Sequence, residues 1–129
     1  MRELDIGTKV YAKVVCLDEP GQGGACHEYV VVAAGAGDAL EVSATGVANA
    51  KTLARVSFQN GPVKEFGVNG CHNEDLIAIV IDRLEHFQKG DFNCHENALA
   101  LMKLEEALYW LKYRTQVRIA RGVEGTNTK

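Results

Sequence analysis

The strongest constraint on this chain is a pair of helical patterns joined by a loop of only a few residues. Asn73, a capping residue type, precedes Glu74 and Asp75, which suit the positive end of a helix dipole. Leu76, Ile77, Ile79, Val80, Ile81, Leu84 and Phe87 follow, and Gly90 supplies a stop. A second pattern opens at Asn93, with Glu96 three residues on in the manner of a capping box. It runs to about Arg121, with Gly122 as its stop. So short a connection makes the two helices fold back as an antiparallel hairpin.

Upstream of Gly67 the period changes. Val10, Ala12 and Val14 alternate with Lys9, Tyr11 and Lys13, the pattern of a half-buried strand with the first set inward. Pro20, Gly21, Gly23 and Gly24 mark a loop. Strand-like runs follow near 28–34, 40–44 and 53–59, separated by turn signals at Gly35–Asp38 and Asn60-Gly61-Pro62. Connections this short exclude parallel crossovers. The expected class is therefore α+β, a small antiparallel sheet over 1–66 and a helical hairpin over 67–129, within one compact domain of 129 residues.

The hairpin carries more apolar surface than one sheet covers. Ile77, Val80, Ile81 and Leu84 span more than one stripe, as do Leu99, Leu101, Met102, Leu104, Leu108, Trp110 and Leu111. A second subunit would cover the remainder; the alternative is a sheet packed over both helices. The net charge of -3 argues against a protein that coats DNA or RNA, while leaving room for a local anion pocket. The charged start MRELDIGTKV has no apolar signal region, and the run Tyr29–Ala34 is too short to span a bilayer. A cytosolic chain is expected, with no membrane partner and with Cys16, Cys26, Cys71 and Cys94 as reduced thiols.

Arg114, Arg118 and Arg121, spaced by four and three, line one face of the second helix. Guanidiniums held in parallel on a rod suit a phosphate or pyrophosphate; the plainer reading is a solvated helix end that offsets the dipole. Phe87 and Asn97 lie at the hairpin turn, away from these arginines. They would meet them only across two subunits packed head to tail, where an aromatic could stack a base. The tail Gly122-Val123-Glu124-Gly125-Thr126 and the segment Gly67-Val68-Asn69-Gly70 each read as a capping turn or an amide-lined pocket. Cys26-His27, Cys71-His72 and Cys94-His95 lack the two- to four-residue gap of paired zinc ligands, so no metal and no catalytic thiol is expected. Gly35-Ala36-Gly37-Asp38-Ala39-Leu40 has no third glycine and no following helix, and reads as a hairpin turn rather than a dinucleotide fingerprint.

The stretches GVNGCHNEDLIAIVIDRLEHFQKGDF, CHENALALMKLEEALYWLKYRT and RGVEGT resemble the helical-hairpin domain of phage anti-defence sponges. The closest resemblance is to the first type of Thoeris inhibitors, and a related group inhibits cyclic-oligonucleotide (CBASS) signalling. The likeness covers about Gly67 to Thr126; GTKVYAKVV and FQNGPVKE add a weaker match to the Thoeris type. The resemblance implies a binding protein that sequesters cyclic ADP-ribose isomers (gcADPR) made by TIR-domain proteins in the cytoplasm of the infected bacterium. It implies hexamers, some of which also hold cyclic di- or trinucleotides, with no cofactor. Carried over by motif position, Phe87 stacks a base, Asn97 is a polar contact, and Arg114 and Arg118 hold the pyrophosphate. Arg121 and Gly122–Thr126 are looser carry-overs, as are Asn69, Gly70 and Asn73 for a trinucleotide site.

Two rival readings stand beside sequestration. One is an enzyme that degrades the signal, with His86 or His95 as acid–base. The other is a structural, oligomeric interaction module whose arginines meet an acidic partner. The sequence supplies no activated nucleophile or metal ligand set, which favours binding.

Overall fold

The computed structural model describes residues 1–35, 41–43, 46–48 and 51–129. In chain order the elements are β1 (Arg2–Glu3), β2 (Ala12–Cys16), a 3-10 turn (Gln22–Gly24), β3 (Glu28–Ala33), β4 (Glu41–Ser43), β5 (Gly46–Ala48) and β6 (Lys51–Ser57). Three helices follow: α1 (Val63–Phe66), α2 (Asn73–Lys89) and α3 (His95–Ala120). The chain divides into two units. One holds Met1–Gly61 with Val68–Gly70, the other Pro62–Gly67 with Cys71–Lys129. The α+β class expected from the sequence is what the chain adopts.

The first unit is a four-stranded antiparallel sheet in the order β1-β2-β3-β6, with a separate β4–β5 hairpin. The turn expected at Gly35–Asp38 and the Gly35–Leu40 segment fall largely on residues 36–40, outside the described residues. Val15 stands opposite Val30 and Lys13 opposite Val32, so all four share a face. Val15, Val30, Val32 and Ala34 are the core, with Leu17 packed against it. Each fully buried valine contributes roughly 1.5–3 kcal/mol.

This reverses the inward face read from the sequence. Lys13 is only 4% exposed, whereas Val10 is 50% and Tyr11 86% exposed. Lys9 has φ 58, a left-handed conformation that interrupts the extended run, and β2 begins only at Ala12. The alternation read across Lys9–Val14 therefore does not belong to one strand, and Val15 sets the phase. The methylene stem of Lys13 lies within the buried surface.

The β2–β3 connection is closed by one carboxylate. Asp18 accepts the backbone N–H of His27 (2.9 Å) and of Glu28 (3.1 Å), just before and at the start of β3. Burial alone would raise the Asp18 pKa; the N–H groups of His27 and Glu28 outweigh it and hold the carboxyl below its ordinary value. Burial has the opposite result at neighbouring Cys16, whose thiol is pushed up. At the same end of the sheet, where Ser57 pairs with Glu28, Asn69 clamps the β6 exit. Its side chain exchanges two 2.8 Å hydrogen bonds with the backbone of Asn60, and its N–H donates to Gln59 Oε1 at 2.9 Å.

In the second unit, α2 and α3 pack along a seam of half-buried residues. On α3 these are Asn97, Leu101, Leu104, Leu108, Leu111, Thr115 and Arg118, and on α2 Ile77, Ile81, Leu84 and Gln88. Alternating steps of three and four are the spacing of a two-helix seam. Neither helix has a fully buried residue. Ile79, Met102, Tyr109, Trp110 and Ile119 are each at least 58% exposed.

The helix starts lie one residue from the expected positions. His72, not Asn73, is the N-cap of α2, and its N–H donates to Asp75 Oδ2 at 2.8 Å. Cys94, not Asn93, caps α3: its Sγ accepts the Asn97 N–H at 3.4 Å. Gln88 fixes that turn by bonding both the N–H and the carbonyl of Cys94, each at 3.0 Å. These side chains do the work that Asn was expected to do, and they are not usual capping types. At the other end, Gly122 (φ 74) sends its N–H to Ile119 O, and Val123 sends its N–H to Arg118 O. That pair of bonds is a Schellman closure, which requires the left-handed glycine.

Candidate functional site

The C-terminal half of α3 presents a basic groove of about 610 Å³. Arg114, Arg118, Arg121 and Lys129 supply its charge, and Trp110, Tyr113 and Val117 its apolar wall. No Asp or Glu side chain lines it, and none of the three arginines pairs with one among the described residues. Cations gathered without an acidic side chain among them repel one another, and an anion relieves that repulsion.

The three arginines are not equivalent. Arg114 is exposed and makes no hydrogen bond among the described residues. Arg118 sits on the helix seam, half-buried, and its Nη2 donates to Val123 O (2.9 Å) and Thr126 O (3.1 Å). Arg121 Nη2 donates to the main-chain oxygen of Lys129. Arg118 thus ties down the tail while keeping further N–H groups for a ligand, since a guanidinium has five. The tail is held at a second point, where Lys64 N donates to Gly125 O at 3.0 Å.

Gly122–Thr126 was expected as either a cap or an amide-lined pocket. Gly122, Val123 and Thr126 spend their N–H groups on Ile119, Arg118 and Val123 carbonyls. The segment is a cap and a tail clamp at these positions, and its carbonyls face Arg118.

Phe87 and Asn97 do not join the groove within one chain. Asn97 precedes Arg114 by seventeen helical residues, about 25 Å of rise. Phe87 closes α2 at the turn, and Arg83 lies 5.0 Å from its ring centre, a cation–π contact on the same helix. Asn97 lies at the first turn of the seam and Arg118 near its last. Of the further candidates, Asn69 is engaged by Asn60 and Gln59. Gly70 lies so close to Phe58 that a Cβ there would sit 2.3 Å from its carbonyl carbon. Asn73 opens α2, exposed.

The aromatic wall was missed as a site feature. Trp110 and Tyr113 cross edge to face at 6.0 Å, and Tyr109 stacks on Tyr113 at 6.3 Å. The signal was present: one turn back along the stripe from Arg114 is Trp110, which the sequence reading counted only as surplus apolar surface. Among the described residues no helix is long and apolar enough to cross a membrane.

The chain is thus a sheet followed by a helical hairpin, with a basic stripe on the closing helix. The family model for the Acb2/Tad1 hairpin domain matches residues 51–116, and the chain belongs to that family. A relative from Bacillus phage SBSphiJ7, "Thoeris anti-defense 1", is 50% identical over 115 residues, covering 80% of each chain. This is the anti-Thoeris branch of the family to which the sequence motifs pointed.

Proposed function

We propose that this protein is a sponge. It binds a cyclic ADP-ribose isomer (gcADPR) made by TIR-domain proteins and withholds it from its effector, without breaking a bond. The anti-defence role itself follows from family membership and the named phage relative. The observation that carries the finer reading is the groove, in which three guanidiniums, that of Arg114 free of partners among the described residues, stand beside an indole and a phenol ring with no Asp or Glu side chain between them. Paired arginines match the oxygens of a pyrophosphate, and the ring faces match a purine.

The remaining pieces lie at the hairpin turn. Phe87 and Asn97 reach the arginines when a second hairpin packs head to tail against the first, so the pocket belongs to an oligomer, a hexamer by family resemblance. Exposed apolar side chains along both helices supply the surface for that packing. The same arrangement is open to cyclic di- or trinucleotides, with Asn69, Gly70 and Asn73 as candidate contacts for a trinucleotide. The site works in the host cytoplasm, where the signal is made. Calorimetry against cyclic ADP-ribose isomers and cyclic di- and trinucleotides tests the reading: tight binding of an isomer that weakens in Arg114→Ala supports it, and no heat with any of them refutes it.

A further inference from the structure

The loop that joins β2 to β3 gathers three ligating side chains, well separated in chain position from the arginine groove. Cys16 ends β2, Asp18 follows two residues later, and Cys26 precedes β3 by two. The two thiol sulfurs and a carboxylate oxygen lie within 4.8 Å of one another, and Cys16 Sγ is 3.7 Å from Asp18 Oδ1. A tetrahedral zinc centre separates a sulfur and an oxygen ligand by about 3.6 Å and two sulfurs by about 3.8 Å, from its usual bond lengths. The group therefore needs only small side-chain movements to close on an ion.

The carboxylate is already oriented. Asp18 is held by the N–H groups of His27 and Glu28, and the His27 ring nitrogen Nδ1 stands 3.9 Å from its Oδ2. Outer contacts of this kind fix the direction of a metal-binding carboxylate. Cys16 is buried while Asp18 and Cys26 are half-exposed, so the group has one dry wall and one entry side.

We propose that Cys16, Asp18 and Cys26 form a binding site for a zinc-class divalent ion. Two thiolates and one carboxylate suit zinc and not calcium or magnesium, which take oxygen ligands. Three protein ligands leave a fourth corner to water. Binding releases one proton from each thiol to solvent and changes no oxidation state. The ion ties both ends of the Gly- and Pro-containing loop 17–25 together and stabilises the β2–β3 pair. The spacing of ten between the cysteines is set by that loop, which is why no short zinc pattern marks it.

The test uses the full chain, reduced and stripped with a chelator, and titrated with cobalt(II). One cobalt per chain should give a thiolate-to-cobalt charge-transfer band that added zinc bleaches. Cys26→Ser and Cys26→Ala should lose the band, while Cys71→Ala and Cys94→Ala keep it. Zinc should raise the melting temperature of the wild type and leave that of Cys26→Ser unmoved. A wild-type protein without the band, or a band that survives in both folded Cys26 variants, overturns the proposal.

Discussion

Arg114→Ala separates ligand binding from folding more cleanly than any other single change. The Arg114 side chain is exposed and bonds to no neighbour, and it stands in a groove with Arg118, Arg121 and Lys129. Its removal leaves no group unsatisfied and slightly relieves like-charge repulsion, so stability should change by no more than about 0.5 kcal/mol. A charge-assisted hydrogen bond to a phosphate oxygen contributes about 1.5–3 kcal/mol. At 1.4 kcal/mol per tenfold, the Kd for a pyrophosphate-bearing ligand should rise about 10- to 100-fold. Arg118→Ala is the contrast. It loses the same kind of ligand contact but also releases the tail from the two carbonyls it holds, Val123 and Thr126. Its stability should fall by about 1–3 kcal/mol as well. Paired titration calorimetry and thermal melts read both quantities. Arg114→Ala protein that binds like the wild type, or that melts as early as Arg118→Ala, refutes the division of labour between these two residues.

Trp110→Ala should weaken binding by about 1–3 kcal/mol if the indole stacks a base, with the hairpin still folded by circular dichroism. Gly70→Ala places a Cβ 2.3 Å from the Phe58 carbonyl carbon and 2.4 Å from its oxygen. It should destabilise the sheet unit severely, seen as lost soluble yield or an early urea midpoint. Gln88→Ala removes both bonds that bracket Cys94, and should cost about 1–2 kcal/mol in urea unfolding.

The hairpin was legible because two long segments repeat at three and four, and a short loop leaves them one topology. The antiparallel sheet was legible from its turns. The strand phase in β2 was not, because a left-handed Lys9 breaks the run and a lysine stem occupies an inward position. Cap positions slipped by one because His72 and Cys94 take roles that residue statistics give to Asn. In the groove, the arginine spacing was readable from four-and-three periodicity, while the aromatic wall was absorbed into a count of apolar residues. Arg118 holding its own tail was not readable at all, since the partners are backbone carbonyls beyond a glycine turn. The Cys16–Cys26 approach depends on how Asp18 closes a loop, a contact that pairs of adjacent residues do not reveal.

The central claim is capture without chemistry. The direct measurement mixes stoichiometric protein with a cyclic ADP-ribose isomer, passes the mixture through a protein-retaining filter, then denatures the retained protein and chromatographs what it releases. The account predicts little ligand in the first filtrate and intact ligand after denaturation. A linear or hydrolysed product, or ligand that passes freely through the filter, contradicts it.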